Sequence, residues 1–351
     1  MTLANAAAAV TASVLDYPIM TPAAAGEAIV VAPGIRWVRM PLPFALDHIN
    51  LWLLEDGDGW TIVDCGLGNE TTRALWQQVF DRYLEGRPVR RVICTHCHPD
   101  HAGNADWLTR RFDAQFWMAQ GEYMAAHAFR DEQAGFDIDA IIGLFRRNGL
   151  SGEHLAKMQE RRGGYRIGVP EFPRSFHRLL EGMRVQIGDR SWRVIMGYGH
   201  SPEHAALYCD ETQTLISGDM VLPRISTNVS VAVIDPEGNP LKLFLDSLER
   251  YLDLPAATLT LPSHGLPFYG LHHRIGQLQE HHHLRLGELV EVCDTPRAAV
   301  DVLSTLFRRE LDAHQLSFAM GEAMAHLHFM QYDGRLARQI GADDIIRFVQ
   351  A

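Results

Sequence analysis

The sequence predicts an α/β fold that carries histidines and aspartates on loops at the ends of its strands. Three observations carry this. Apolar runs of strand length alternate with segments of helical period. One such run, residues 89–95, leads directly into His96-Cys97-His98-Pro99-Asp100-His101. Three later runs of the same kind, residues 193–196, 214–217 and 258–261, lead to His200, Asp219 and His264, each beside Gly or Pro. A repeated strand followed by a polar loop residue is how a rigid scaffold aims side chains at one point.

The elements follow in order. Residues 1–28 read as a loose arm. Residues 29–64 hold several short strands, among them 49–54 and 60–64, with Asp56-Gly57-Asp58-Gly59 as a turn between them. The spacing predicts a helix over 71–84, capped by Asn69 or Thr71. The strand at 89–95 enters the histidine loop, and a helix is expected over 102–112. Between the two halves of the ligand set, residues 121–180 read as a helical insertion, with helices at 121–130, 138–147 and 151–162 and a break at Gly163-Gly164-Tyr165. Residues 276–292 read as a connecting helix, in which His281, His282 and His283 are assigned to a solvated face. Thr295-Pro296 is the expected cap of a helix over 297–307. A helix over 315–331 and a hairpin of 336–340 with 345–349 complete the chain.

The histidine loop carries the chemistry. In extended backbone, residues two apart share a face. His96 and His98 therefore point together, and Cys97 turns away into packing. Pro99-Asp100 turns the chain so that Asp100 and His101 return to the same space. Three imidazoles and a carboxylate exceed what one ion needs, which points to two adjacent sites for borderline metals such as zinc.

This motif set resembles the metallo-β-lactamase-fold superfamily over residues 30–275. The resemblance implies an αββα sandwich with the metals at one edge. It implies His96, His98 and His200 on a first metal, Asp100, His101 and His264 on a second, and Asp219 between them. It makes Asp64, at the end of the strand 60–64, a carboxylate that orients a ligating histidine. Two divalent ions are the expected cofactors, zinc first, with iron or manganese as alternatives. The sandwich is expected over 29–275, with the helical cap at about 121–180. Residues 276–351 resemble the small winged-helix module appended to one subgroup of the superfamily. Few basic residues mark its second helix, so packing, a homodimer contact or site closure is the expected role rather than DNA binding.

The expected chemistry is hydrolysis by a hydroxide held between the two metals, with Asp100 as a metal ligand that also steers the nucleophile and passes on a proton. The favoured substrate is a thioester, ester or lactone, such as a CoA- or glutathione-type thioester. Its anionic arm would meet a basic stretch of the cap: Arg146, Arg147, Lys157, Arg161, Arg162, Arg166, Arg174 and Arg178. Phe129, Phe136, Ile141, Ile142, Leu144 and Phe145 could line an acyl pocket or form the cap's own core. Arg224, Ser226 and Asn228, just after Asp219, are candidate substrate contacts. A phosphodiesterase or ribonuclease of the same superfamily is the alternative, and a metal-stabilised winged-helix regulator is the alternative of another class. The net charge of −11 disfavours nucleic acid as a partner. No apolar run is long enough to span a bilayer. Five scattered cysteines and the lack of a basic leader suit a reducing cytoplasm.

Overall fold

The computed structural model describes residues 15–351, apart from Arg161, Arg309 and the side chains of Ala313 and His314. Two sheets form the centre. The first has seven strands in chain order: β1 (Ala28–Ala32), β2 (Ile35–Pro41), β3 (His48–Asp56), β4 (Gly59–Val63), β5 (Val89–Ile93), β6 (Gln115–Ala119) and β7 (His177–Leu179). The second has five: β8 (Arg184–Ile187), β9 (Arg190–Gly197), β10 (His204–Cys209), β11 (Thr214–Gly218) and β12 (Leu259–Pro262), with β12 on the edge beside β11. Hairpins build the antiparallel parts. The Asp56-Gly57-Asp58-Gly59 turn joins β3 to β4, with Gly57 at φ 65°.

Alternation along the strands sorts side chains between layers. On β2 and β3, Ile35, Trp37, Trp52 and Leu54 face the second sheet, where Trp192, Val194, Met196, Leu207 and Ile216 meet them. Val38, Met40, Leu51 and Leu53 face the other way. There they meet α1 (Glu70–Tyr83) through Trp76 and Val79, α3 (Ala105–Phe112) through Leu108, and α4 (Gln120–Arg130) through Ala126. Ile195, Ala206, Tyr208 and Leu215 line the outer face of the second sheet. Together these layers make the expected αββα sandwich.

Local chemistry explains where the helices start and stop. Asn69 caps α1 by accepting from the Thr72 N–H at 2.8 Å. The helix expected over 102–112 is two: a single turn, α2 (Pro99–Ala102), and then α3. Gly103-Asn104 separates them, and the Asn104 amide donates to the carbonyls of Cys65, Gly66 and Leu67. In the insertion, α5 (Ile138–Arg147) lies where the spacing placed it. The next helix, α6, stops at Gln159 (Glu153–Gln159), and Gly163-Gly164 opens a further one, α7 (Gly164–Gly168). The insertion's apolar residues are core. Ile142 and Phe145 are buried under the second sheet's outer layer with Ile141 and Leu144 beside them, and Phe129 and Phe136 pack on the first sheet's helical layer.

The C-terminal portion forms the outer layer of the second sheet. It comprises α8 (Pro240–Glu249), α9 (Leu271–Val292), α10 (Leu303–Leu306), α11 (Ala313–Tyr332) and the hairpin β13 (Leu336–Ile340) with β14 (Ile346–Gln350). Thr295-Pro296 does not cap a helix. The chain enters a 3₁₀ turn at Ala299–Val302 instead, where the Asp301 carboxylate accepts from the Ala298 N–H at 2.8 Å, and α10 follows. His282 is not on a solvated face: it is fully buried on α9, 3.2 Å from Nε2 of the equally buried His326 on α11. His326 and His328 are both buried and so present nothing outward to a nucleic acid. Of the expected arm, residues 1–14 lie outside the described residues. The rest is fastened rather than loose, since Asp16 and Tyr269 exchange both backbone hydrogen bonds at 3.2 and 2.8 Å.

Candidate metal centre

The seven expected ligands converge. Ligand atoms of His96, His98, His200 and Asp219 all lie within 4.8 Å of one another, and those of Asp100, His101 and His264 form a second such group. Asp219 faces both. Its Oδ2 lies 3.5 Å from His200 Nε2, while its Oδ1 lies 3.6 Å from His101 Nε2 and 3.5 Å from His264 Nε2. Asp100 Oδ2 is 3.7 Å from His101 Nε2 and 3.6 Å from His264 Nε2. Each ligand sits just past a strand: the histidine loop after β5, His200 after β9, Asp219 after β11 and His264 after β12.

The outer nitrogens fix which atom faces inward. His200 Nδ1 is 2.8 Å from the Asn228 carbonyl and His264 Nδ1 is 2.7 Å from the His48 carbonyl. A carbonyl only accepts, so both rings carry their proton there and turn an Nε2 lone pair to the centre. His101 Nδ1 lies 2.9 Å from the Asp64 carboxylate, which also accepts from the Thr95 N–H at 2.8 Å and its hydroxyl at 2.9 Å. Asp64 is fully buried with φ 61°, a left-handed conformation that Asp tolerates better than most residues. It thus stands where an orienting carboxylate belongs.

The donor set fits divalent metal. His101 Nε2 and Asp219 Oδ1 are buried with no hydrogen-bond partner. His96 Nε2 lies 2.9 Å from His98 Nδ1 and 3.2 Å from His200 Nε2. Burial, then the neighbouring imidazoles, hold His96 and His98 well below the usual histidine range, so these are neutral rings turning lone pairs toward each other. A cation between them resolves that conflict. On the other side, burial opposes charge on His101, but Asp64, Asp100 and Asp219 outweigh it and lift its pKa to about 10. Asp219 is held well below the ordinary carboxylate range: burial works against this, and His264 and His101 prevail.

Three supporting residues escaped the sequence reading. Glu122 on α4 is a fully buried carboxylate that touches both histidine loops. His204 accepts from the Asp219 N–H at 3.1 Å, and the Gly218 backbone, at φ 55°, leaves no room for a Cβ beside that ring. His48 supplies the carbonyl behind His264, and its Nε2 accepts from the Gly265 N–H at 2.8 Å. Of the candidate substrate contacts, Asn228 supports the site through its backbone carbonyl on His200. Arg224 is exposed, with its guanidinium 5.9 Å from the Tyr17 ring, and Ser226 is half-buried.

A two-sheet sandwich with His and Asp ligands gathered at the strand ends defines the metal-dependent hydrolases of one fold class. The chain belongs to the metallo-β-lactamase superfamily, whose family model matches residues 45–264. A second model, the metallo-β-lactamase-like C-terminal domain, matches residues 286–351. The chain is similar to a crystal structure of a β-lactamase domain protein from Burkholderia ambifaria, at 50% identity and TM-score 0.90, covering 96% of this chain and 98% of that one. It is also similar to the metallo-β-lactamase family protein TTHA1429 from Thermus thermophilus, at 29% identity and TM-score 0.78, covering 92% and 100%. Among curated proteins it is 26% identical to the probable metallo-hydrolase YqjP of Bacillus subtilis, over 84% of this chain and 91% of that protein. No helix among the described residues is long and apolar enough to cross a membrane.

Proposed function

We propose that this protein is a dinuclear metal-dependent hydrolase acting on the carbonyl of a thioester, ester or lactone. The observation that carries the reading is the pair of ligand groups facing the two oxygens of Asp219. His96, His98 and His200 would hold one ion, Asp100, His101 and His264 the other, with Asp219 between. An imidazole and carboxylate set without thiolate suits zinc, with iron or manganese as alternatives. When bound, such ions supply an activated water at neutral pH and polarise the attacked carbonyl. Of the two carboxylates in the set, Asp100 is the more exposed, its side chain 19% accessible against 10% for Asp219. It is therefore the ligand able to take a proton from the incoming water and hand it to the departing group.

The rim supports an anionic substrate with an apolar arm, though by other residues than the basic stretch as a whole. Within that stretch, Arg162 pairs with Asp139 at 2.6 Å, Lys157 with Glu153 at 2.6 Å and Arg147 with Asp344 at 3.5 Å. Arg161 lies outside the described residues. Arg166 is exposed on α7, whose Tyr165 hydroxyl donates to the Cys97 carbonyl within the histidine loop at 2.6 Å. Ile167 beside it is 78% exposed. Arg224 and Ile225 repeat that exposed pairing on the segment leaving Asp219. Cation and apolar side chain side by side, one pair on the helix fastened to the histidine loop and one on the segment after Asp219, suit the phosphate and acyl parts of an acyl-CoA.

The test is elemental analysis with an acyl-CoA panel and bis-p-nitrophenyl phosphate as control. Two ions per chain with acyl-CoA turnover, and a KM raised by Arg166→Ala and Arg224→Ala for acyl-CoA but not for a neutral thioester, support the reading. Turnover of the phosphodiester alone makes this a nuclease. Fewer than two ions under metal-replete conditions refutes the dinuclear mechanism.

A further inference from the structure

One carboxylate outside the ligand set touches both loops that supply the first histidine triad. Glu122 lies in the first turn of α4 and is completely buried. Its Oε2 accepts from the backbone N–H of Cys97 at 2.9 Å, the residue between His96 and His98. Its Oε1 accepts from the Ser201 hydroxyl at 2.6 Å and the Glu203 N–H at 2.7 Å, both just after His200. The contact is reciprocal, since the Gly121 N–H donates to Glu203 Oε2 at 2.6 Å. The Cys97 peptide is gripped from its other end by the Tyr165 hydroxyl on its carbonyl.

No cation pairs with Glu122 among the described residues. Two peptide N–H groups and a hydroxyl are aimed at it, with the Cys97 thiol beside them. Burial pushes its pKa up, and those same donors pull it back. A buried carboxylate is costly to keep, so a leucine or methionine would serve a purely packing role better. What the carboxylate provides, and an apolar side chain cannot, is a fixed separation between two loops whose histidines, His96 and His200, are 104 residues apart in the chain.

We propose that Glu122 is the positioning residue of the first metal triad, setting the distance between the His96–His98 edge and His200. The proposal rests on the metal reading above. Glu122→Gln tests it because it preserves shape but not acceptor count. Whichever way the amide turns, its NH₂ faces a backbone N–H, that of Cys97 or that of Glu203, so one loop is released.

The experiment is a cobalt(II) titration of the metal-free full chain, followed by visible absorption of the bound ion and by competition with a chelator. The expected result for Glu122→Gln is an unchanged far-ultraviolet circular dichroism spectrum, first-site affinity lower by about 10- to 100-fold and an altered absorption band. Ser201→Ala removes one donor only and is the second variant, whose affinity should fall by several-fold even if Glu122→Gln does not fold. A folded Glu122→Gln with wild-type affinity and absorption overturns the proposal, as does an unaltered Ser201→Ala should Glu122→Gln fail to fold. Wild-type protein that takes up no cobalt refutes the metal reading and this inference with it, whereas wild-type uptake with an unaffected Glu122→Gln refutes this inference alone.

Discussion

Asp64→Asn should cost the second metal site its affinity through the tautomer of one ring. Asp64 Oδ1 accepts from the Thr95 N–H at 2.8 Å, while Oδ2 meets His101 Nδ1 at 2.9 Å. Asparagine tolerates the left-handed backbone as well as aspartate does, so the substitution leaves the φ of 61° without new strain. Its oxygen must stay on the Thr95 N–H, which cannot accept. Its NH₂ then faces His101 Nδ1, and the imidazole must offer a lone pair there. The ring proton moves to Nε2, the atom that lies 3.6 Å from Asp219 and has no other partner. Loss of such an orienting contact lowers metal affinity about 10- to 100-fold, which is about 1.4 to 2.7 kcal/mol. Competition against a chelating dye, resolved into two sites, reads this directly. One ion should remain as tight as in the wild type and the other should weaken. Two ions bound with wild-type affinity by Asp64→Asn would refute the tautomer argument.

The remaining predictions concern pH, the proton carrier and the support behind His200. In metal-free protein the His101 pKa, about 10, lies above its unfolded value near 6.5. The contribution of this group to stability is therefore complete below pH 6.5 and is lost as pH rises toward 10, so the melting temperature of metal-free protein should fall over that window. The same proton must leave before Nε2 can ligate, so affinity for the second ion should climb between pH 7 and 10, and a flat profile counts against the assignment. Asp100→Asn should keep the first ion, weaken the second and lower kcat by about 10² to 10⁴. A rate within a few-fold of wild type removes Asp100 from the chemistry. In Gly321→Ala on α11, the new Cβ would sit 2.5 Å from Ser230 Oγ and 2.6 Å from its Cβ, and Ser230 donates to the side chain of Asn228, whose backbone carbonyl holds His200. First-site metal affinity should fall, and Ser230→Gly should restore it.

Much of the site was legible because its ligands are written compactly. Four lie within six residues, and the others follow short apolar runs at Gly or Pro, where a chain must leave a sheet. Asp64 was legible for the same reason. Glu122 was not, because its partners are chiefly peptide N–H groups, with one hydroxyl and one thiol from distant loops, which leave no pattern in side-chain identity. An acid in the first turn of a helix reads as ordinary dipole complementation. His282 left a signal that the run of three histidines obscured: Leu278, His282, Leu286 and Leu289 follow helical spacing along one buried stripe. The break between α2 and α3 was written as Gly103-Asn104, where the Asn side chain is occupied by three carbonyls of another loop. The role of the insertion's apolar residues could not be read, because a pocket wall and a packing face demand the same amphipathic helix.

The C-terminal helix α11 bears on how this chain can be divided. Met320, Ala323, Met324 and Leu327 share one continuous core with Ile195, Ala206 and Leu215 of the second sheet. The helix therefore closes the same core through α8 and α6 and is not a passenger attached to it. A fragment ending near residue 275 would keep every candidate ligand, and α8 against β9, yet bare the apolar faces that α9 and α11 cover, and it would be prone to self-association. Its inactivity would then say nothing about the ligands. The reverse holds for attempts to borrow the C-terminal part of the chain as a separate module: excised, it would carry away a sticky surface made to fit one partner, the helical layer it was folded against.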